Sequence, residues 1–301
     1  MGCGALLLCL CGPKVVAQTD DFSDGDDDGW IKYDPFAMAG VGSRVSFDPS
    51  GGTYRMSCLA SPNPLLLGPA RGAAFRPDLY VDFGVSVDVP VHDQDLEQAF
   101  GILARTTANP APGAVFGYAM TYHPVDDDIQ ITRLDNEQVT EISPYVPLWG
   151  PPASGVLRVV FFGEGDRLVG RVYDAADPVV PLAETVVTDA TYPSGMCGIA
   201  IFDNTETADQ AADVTFDNYH AGDGTPGPLR IDMGSGGDLV LSWEFPFATH
   251  DLEWSADLMG WDATRFQSEW PAYANGILSH TTSVSESGSG SFFRLSREPL
   301  P

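Results

Sequence analysis

Lysine is almost missing from this chain. Lys14 and Lys32 are the only two among 301 residues, and 42 acidic residues face 15 basic ones, for a formal net charge of -27. A chain with this charge repels the phosphates of nucleic acids and of anionic lipids, so we expect neither as a partner. The excess of carboxylates either keeps the protein in solution or attracts a divalent cation such as Ca²⁺, and the sequence leaves both interpretations open.

Long apolar runs are missing as well. The run at residues 5–11 is too short to span a bilayer. Because the small residue Ala17 follows it, the segment is typical of a secretion signal. We therefore predict a signal peptide at residues 1–17 and a secreted or cell-surface protein that does not insert into the membrane.

Cysteine is scarce once that segment is removed. Only Cys58 and Cys197 remain, and each falls in a stretch that we predict to be a strand. An oxidising compartment would allow them to form a disulfide. Two separate buried thiols fit the sequence equally well, so the disulfide is one of two alternatives.

No convincing amphipathic helix is found, and residues 93–98 allow one helical turn at most. In residues 157–162 and 168–173 the side chains alternate with a period of two, and the turn-forming residues 163–166 between them predict a hairpin. We predict further strands at residues 44–48, 53–58, 80–89, 98–107, 114–122, 129–134, 182–187, 195–202 and 213–219. About a dozen short strands in roughly 200 residues predict an all-β fold, a two-sheet antiparallel sandwich or jelly roll.

Four motifs carry a family resemblance. They are D-D-F-S-D-G-x-x-x-G-W from Asp20, L-R-V-V-F-F-G-E-G-D-R-L-V-G-R-V-Y-D from Leu157, S-G-x-x-G-I-A-I-F-D-N from Ser194 and D-V-T-F-D-N-Y from Asp213. In this order, residues 18–222 resemble the laminin-G/concanavalin-A-like jelly-roll domains of exported bacterial proteins. The resemblance implies two curved antiparallel sheets whose first and last strands meet.

The resemblance also implies a position for a metal ion. Residues 20–28 contain six aspartates. If the first and last strands meet, a structural Ca²⁺ site would be formed by oxygen ligands from Asp20, Asp21, Asp24, Asp217 and Asn218. The alternative is that these side chains cap turns and face water.

Sugar binding and catalysis both occur in the family, so its fold does not decide the function. The E-x-D-x-x-E and E-x-D-x-E strands of its retaining glycosidases are missing from the sequence, as are the R-x-E-x-R and Q-x-H patterns of its lyases. Sugar binding needs exposed aromatic rings beside polar groups. The candidate ligand-binding rings are Tyr118, Tyr122, Tyr145 and Trp149, with burial in the sandwich core or anchoring of a loop as the alternative role.

A second unit follows a predicted linker at residues 223–228, which is rich in Pro and Gly. Residues 229–301 contain L-V-L-S-W, D-L-E-W-S and S-F-F-R-L, and they resemble the small fibronectin-type-III-like sandwich at the end of many exported bacterial proteins. We predict its strands at residues 229–233, 238–243, 251–255, 261–267, 276–284 and 291–295.

These observations predict an exported, non-catalytic protein that binds a polysaccharide or cell-surface glycan, or interacts at the cell surface. Two alternatives remain. One is a structural or adhesive surface protein without a glycan ligand. The other is a glycosidase or lyase whose site follows a pattern that we did not find.

Overall fold

The computed structural model of the chain describes residues 17–204, 211–224, 229–234, 238–244, 250–255, 272–274, 277–282 and 292–297. Nearly all regular structure in these ranges is β-strand, and its main part is two eight-stranded antiparallel sheets. The predicted all-β class and the two-sheet antiparallel sandwich are therefore confirmed. Within these ranges, no helix is long and apolar enough to cross a membrane. The predicted signal peptide, apart from Ala17, and residues 225–228 of the predicted linker lie outside the described residues.

Sixteen strands build the two large sheets. They are β1 (Gln18–Asp20), β2 (Ile31–Tyr33), β3 (Val45–Asp48), β4 (Tyr54–Cys58), β5 (Arg71–Tyr80), β6 (Phe83–His92), β7 (Gln98–Thr106), β8 (Gly117–His123), β9 (Asp128–Asp135), β10 (Gln138–Glu141), β11 (Val146–Pro147), β12 (Leu157–Glu164), β13 (Arg167–Asp174), β14 (Ala183–Thr188), β15 (Gly195–Asp203) and β16 (Ala212–Gly222). The first sheet has the order β14-β13-β12-β6-β16-β4-β3, with β1 also beside β16. The second has the order β10-β9-β8-β7-β15-β5-β2, with β11 also beside β9.

The hairpin predicted from residues 157–173 is formed by β12 and β13. Leu157 pairs with Asp174 at the open end and Glu164 with Arg167 at the turn. Gly165 has a φ of 54°, in the left-handed region that glycine enters without steric cost. The alternation of side chains along β12 puts Val159 and Phe161 into the space between the sheets, where both are fully buried.

The interior lies between the two large sheets. β6 and β12 of the first sheet contribute aliphatic and aromatic side chains, which pack against those of β7, β8, β9 and β15 of the second. Gly170 on β13 allows close contact, because a Cβ atom there would lie 2.6 Å from Cγ of Met120 on the opposite sheet. This continuous apolar cluster supplies the main favourable free energy of folding.

The structure corrects the strand predicted at residues 80–89. A turn at Val81 and Asp82 separates β5 from β6, and Val81 is 63% exposed, so it does not share the buried face of Phe83 and Val85. β5 itself was missed by the sequence analysis. Its stretch R-G-A-A-F-R-P-D-L-Y contains glycine and proline, which weaken the sequence signal for a strand.

Two short helices lie where the sequence analysis predicted none, and residues 93–98 form no helix. Helix α1 (Pro35–Met38) and helix α2 (Pro64–Leu67) each begin with an Asx-Pro pair. The Asp34 side chain accepts hydrogen bonds from the N–H groups of Phe36 and Ala37, at 2.9 and 3.1 Å. A capping side chain before a proline at the first helical position stabilises even a single turn.

The C-terminal region contains β17 (Arg230–Met233), β18 (Leu239–Glu244), β19 (His250–Ser255), β20 (Ala272–Ala274), β21 (Ile277–Thr282) and β22 (Phe292–Arg297). They form a four-stranded sheet, β17-β18-β21-β20, and the pair β19-β22. Strands thus occur at every position predicted there except residues 261–267, which lie outside the described residues. Leu241, Trp243 and Leu278 pack in one apolar cluster with Val179 and Phe162. The domain boundaries and the fibronectin-type-III-like class stay predictions.

Candidate functional site

Two of the four predicted sugar-binding rings lie in the core. Tyr118 and Tyr122 are 0% and 4% exposed, and both belong to the cluster between the sheets. Their hydroxyls donate to Asp189 Oδ1 at 2.7 Å and Asp127 Oδ1 at 2.9 Å, respectively. A ring enclosed in the core has no free face for a sugar, so the prediction of these two residues as ligand-binding is wrong. The period of two places both rings on one face of β8 but does not say which face points inward.

The other two rings are exposed on one segment. Trp149 is 88% and Tyr145 48% exposed. Burial alternates along the segment: Tyr145, Pro147 and Trp149 are exposed, whereas Val146 is half-buried and Leu148 is buried. Tyr145, Pro147 and Trp149 therefore form an exposed ridge, here called the aromatic ridge. In extended backbone the Cα atoms of residues four apart are separated by about 13 Å.

The backbone of the aromatic ridge is anchored to both sheets. Val146 pairs with Ile129 on β9 of the second sheet. The N–H of Leu148 donates to the carbonyl oxygen of Asp127 at 2.8 Å, and that of Trp149 donates to the carbonyl oxygen of Leu182, next to β14 of the first sheet, at 3.0 Å. An anchored segment holds the Cα atoms of its rings in place, and its backbone loses little conformational entropy when a ligand binds.

Tyr145 is also held through its side chain. Its hydroxyl donates to Glu141 Oε1 at 3.0 Å, and its ring lies 5.5 Å from the His123 ring, centroid to centroid. Partial burial and the Glu141 carboxylate raise the pKa of Tyr145 above its ordinary value, so the phenol is neutral at physiological pH. His123 in turn is fixed by Asp128, whose Oδ1 lies 2.7 Å from His123 Nδ1.

A second candidate surface lies on the outer face of the second sheet, the face turned away from the core. Here a groove of about 370 Å³ runs over β2, β5, β15, β7, β8 and β9. Its floor consists of apolar residues that form their own cluster outside the main core, including Tyr33, Ala73, Phe75, Leu103, Val115, Ala119 and Ala200. Because three of these residues are alanines, the face has room above it that larger side chains would fill.

The walls of this groove come from three separate segments. α1 contributes Phe36, and α2 contributes Leu66 and Leu67. The turn between β9 and β10 contributes Asn136 and Glu137. Each of these segments is fixed by local chemistry, because the Asx-Pro caps set both helices and strand pairing fixes both ends of the turn.

The polar end of the groove is built around Glu137. Its carboxylate accepts hydrogen bonds from the hydroxyl of Tyr33, from Arg71 Nη2 at 2.6 Å and from the N–H of Gly113 at 3.2 Å. Arg71 is itself held by the carbonyl oxygens of Leu67 and Pro69. The side chains of Arg71 and Glu137 are 18% and 14% exposed. Pairing these two charges makes the groove electrically neutral despite the strongly acidic chain.

The backbone at Glu137 is unusual. Asn136 and Glu137 have φ values of 54° and 64°, both in the left-handed region. Two such residues in a row form the hairpin turn that favours Asn followed by Gly. Glutamate at the second position has a steric cost, of order 1 kcal/mol. Glycine would fit the turn without this cost, so the presence of glutamate indicates a specific role for its carboxylate.

The predicted calcium ligands are brought near one another by strand pairing, but their side chains do not converge on one point. β1 pairs with β16, with Asp20 opposite Tyr219, so the first and last strands do meet. The carboxylates, however, have separate partners. The Asp20 carboxylate accepts hydrogen bonds from Trp30 Nε1 and the N–H of Phe22. The carboxylates of Asp21, Asp24 and Asp217 accept from the Ser23 hydroxyl and from the N–H groups of Asp26 and Asn218, respectively. The side chain of Asn218 donates to Asp88. Among the described residues, no three or more His, Cys, Asp or Glu side chains form a group that could hold a metal ion. Calcium binding thus stays a prediction without a convergent site in this part of the chain.

The two cysteines are free and buried. Cys58 Sγ lies 3.7 Å from the carbonyl oxygen of Arg71, at the start of β5, whereas Cys197 pairs with Arg76 on the same strand. Five residues along a strand span about 17 Å. A disulfide requires Cα atoms within about 7 Å, so the predicted disulfide is wrong and the alternative of two separate thiols is confirmed.

Comparison with known proteins gives similar structures but no family. No family model matches the chain, and none of the curated proteins does. A carbohydrate-binding module, CBM66, from Bacillus subtilis superposes with a TM-score of 0.45 at 13% identity, covering 64% of this chain and 95% of the module. A β-1,3-1,4-glucanase (lichenase) derived from a mouse hindgut metagenome gives 0.49 at 12%, covering 69% and 99%. Lectin I-B4 from Griffonia simplicifolia gives 0.43 at 12%, covering 69% and 98%.

Glu137, Arg71 and Tyr33 were missed by the sequence analysis. Each is an ordinary residue in its local context, and they lie 38 and 66 positions apart along the chain. The stretch Asp135-Asn136-Glu137-Gln138 after a predicted strand is a turn signal, because asparagine tolerates the left-handed conformation. That signal could have indicated the hairpin, but not the partner of its carboxylate.

Proposed function

We propose that this protein binds a carbohydrate chain through the aromatic ridge of Tyr145, Pro147 and Trp149. The observation that carries this proposal is the exposure of Trp149 and Tyr145, 88% and 48%, on the same side of an anchored segment. Large rings exposed together in a fixed arrangement are typical of binding surfaces. The apolar faces of sugar rings stack on such side chains and thereby remove both surfaces from water.

The length of the aromatic ridge favours an extended ligand. At the spacing of extended backbone the Cα atoms of Tyr145 and Trp149 would lie about 13 Å apart, which is longer than one sugar ring. Both rings can be covered at once only by an oligosaccharide or polysaccharide. Glu141, which holds the Tyr145 hydroxyl, has further acceptor capacity for sugar hydroxyls. Export of the protein, which we propose from residues 1–17, would expose this ridge to polysaccharides outside the cell.

The groove on the second sheet does not favour hydrolysis of a glycan. Glycosidases of the usual kind need two carboxyl groups on either side of the scissile bond. Glu137 is the only carboxylate among the described residues that line the groove, and Arg71 and Tyr33 already bind it. The activity that we propose for the aromatic ridge is binding without cleavage, and release of reducing sugars would contradict this part of the proposal.

Binding to a panel of soluble β-glucan, xylan, mannan and fructan tests the proposal, with affinity electrophoresis followed by calorimetry. Trp149→Ala should weaken binding by about five- to thirtyfold, which corresponds to roughly 1–2 kcal/mol for one stacked ring. Leu65→Ala is the matched control, because Leu65 is an apolar side chain that is 100% exposed outside the ridge. Equal affinity of Trp149→Ala and wild type would refute the ridge as the binding surface. Failure of every polysaccharide to bind would favour the adhesive alternative.

A further inference from the structure

We propose that the groove on the outer face of the second sheet is a separate binding site for a neutral, largely apolar small molecule that carries one hydrogen-bond donor. The site is distinct from the aromatic ridge. The ridge lies beside Ile129 at the start of β9, whereas the groove reaches Thr132 and Leu134 near the end of that strand. The proposal therefore does not depend on carbohydrate binding.

The size of the groove fits a compact molecule. Its volume of about 370 Å³ lies within the usual range for small-molecule sites. That volume would hold about twelve water molecules at the density of liquid water. A floor of Phe75, Leu103 and Ala119 gives such waters few hydrogen-bonding partners, so replacing them with an apolar ligand is favourable.

Charge selects a neutral ligand. The Arg71 guanidinium and the Glu137 carboxylate form an ion pair in a mostly apolar setting, at 2.6 Å. A ligand with its own charge would leave one group without a counter-charge in a poorly solvated place, which is unfavourable. The ion pair thus disfavours the binding of both anions and cations in the groove, although the chain as a whole would attract cations.

The remaining hydrogen-bonding capacity favours a hydroxyl. Nη1 of Arg71 is occupied by the carbonyl oxygens of Leu67 and Pro69 and Nη2 by Glu137, whereas Nε is buried without a partner. The Glu137 carboxylate accepts three hydrogen bonds out of about four acceptor positions, from Tyr33, Arg71 and Gly113. One acceptor position on Glu137 and one donor on Arg71 are therefore left at the polar end of the groove. A ligand N–H would donate to Glu137, and a hydroxyl would in addition accept from Arg71. The strained backbone at Glu137 keeps the carboxylate in that position.

The rim supports the same inference. Leu66 on α2 and Val139 on β10 are 78% and 59% exposed, and both line the groove. Apolar side chains around the mouth extend the contact area of a bound apolar molecule and reduce its remaining exposure to water.

The neutral dye N-phenyl-1-naphthylamine, which carries one N–H, is the probe for a titration with the full chain. Its fluorescence should rise saturably, with one molecule bound per chain. Ala200→Phe places a ring in the groove and should weaken dye binding at least tenfold, whereas Leu65→Ala and Trp149→Ala should leave it unchanged. A melting curve establishes that Ala200→Phe is folded. No saturable rise with the wild type, or a loss equally large with Leu65→Ala, would overturn the proposal.

Displacement of the dye tests the donor. 1-Naphthol should displace it at concentrations about ten- to hundredfold lower than 1-methylnaphthalene, as expected for one hydrogen bond to a carboxylate. Glu137→Gln keeps the shape of the side chain, removes its charge and should reduce that preference to less than about threefold. If Ala200→Phe does not fold, Glu137→Gln provides the test of the groove in its place. Equal displacement by both compounds, or a preference that Glu137→Gln leaves unchanged, would overturn the assignment of Glu137 as the acceptor.

Discussion

Asp34 is a single carboxylate on which two chain segments depend, and replacing it with asparagine tests how the wall of the groove is built. Oδ1 caps α1 through the N–H groups of Phe36 and Ala37. Oδ2 accepts from the Ser43 hydroxyl at 2.7 Å and from the N–H groups of Arg44 and Val45 at 3.1 and 3.3 Å. One side chain that is 9% exposed thus joins α1 to the start of β3.

The substitution Asp34→Asn keeps the cap and removes the second set of bonds. The amide oxygen can replace Oδ1, but its NH₂ group would then face three donors in place of Oδ2. At about 1 kcal/mol for each lost hydrogen bond, the free energy of unfolding should fall by about 3 kcal/mol. Asp48→Asn is the matched control, because Asp48 is exposed and its carboxylate accepts only locally, from Ser50 two residues along the chain. That control should change stability by less than about 0.5 kcal/mol.

The effect should depend on pH. Burial alone would raise the pKa of Asp34, but hydrogen bonds from Ala37, Ser43, Val45 and Arg44 outweigh it and hold the pKa below its ordinary value. Since the folded pKa is the lower one, the stabilisation is complete above the unfolded pKa, near 4, and is lost as the pH falls through the folded pKa. Urea unfolding at pH 7 and at pH values below 4 measures this. A difference between Asp34→Asn and wild type below 0.5 kcal/mol at pH 7 would refute the reasoning.

Two further predictions concern the cysteines and the metal. A chain that begins at residue 18 should show two titratable thiols after denaturation without a reductant. In the folded state both should react slowly at pH 8, because burial raises the pKa of Cys58 and Cys197 to about 12. An absence of thiols in the denatured chain would show a disulfide. If the acidic turn after β1 binds Ca²⁺, the melting temperature should rise with free Ca²⁺, and equal melting temperatures in excess Ca²⁺ and excess chelator would rule out the site.

Local patterns in the sequence are sufficient to predict the class of fold and many of its strands. The hairpin of β12 and β13 follows from a period of two on both sides of a glycine-containing turn, which is local information. The exposure of Tyr145 and Trp149 could also be predicted from the sequence. Their segment is rich in turn-forming residues, and such segments run over protein surfaces. The two short helices had local signals as well, in Asp34-Pro35 and Asn63-Pro64.

The face of each strand that points inward, and the distant residues that meet, depend on how the sheets pack and on the order of their strands. Tyr118 and Tyr122 have the same alternation whether they face the core or solvent, and the packing of the second sheet against the first puts them inside. Cys58 and Cys197 are separated along β5 by strand register, which no local pattern encodes. Arg71 and Glu137 are 66 positions apart along the chain. In the sheet, β15, β7 and β8 lie between β5 and β9, and the two side chains pair across the groove above these strands. Local preferences act over a few residues, whereas a binding site of this kind is made by the pairing order of whole strands.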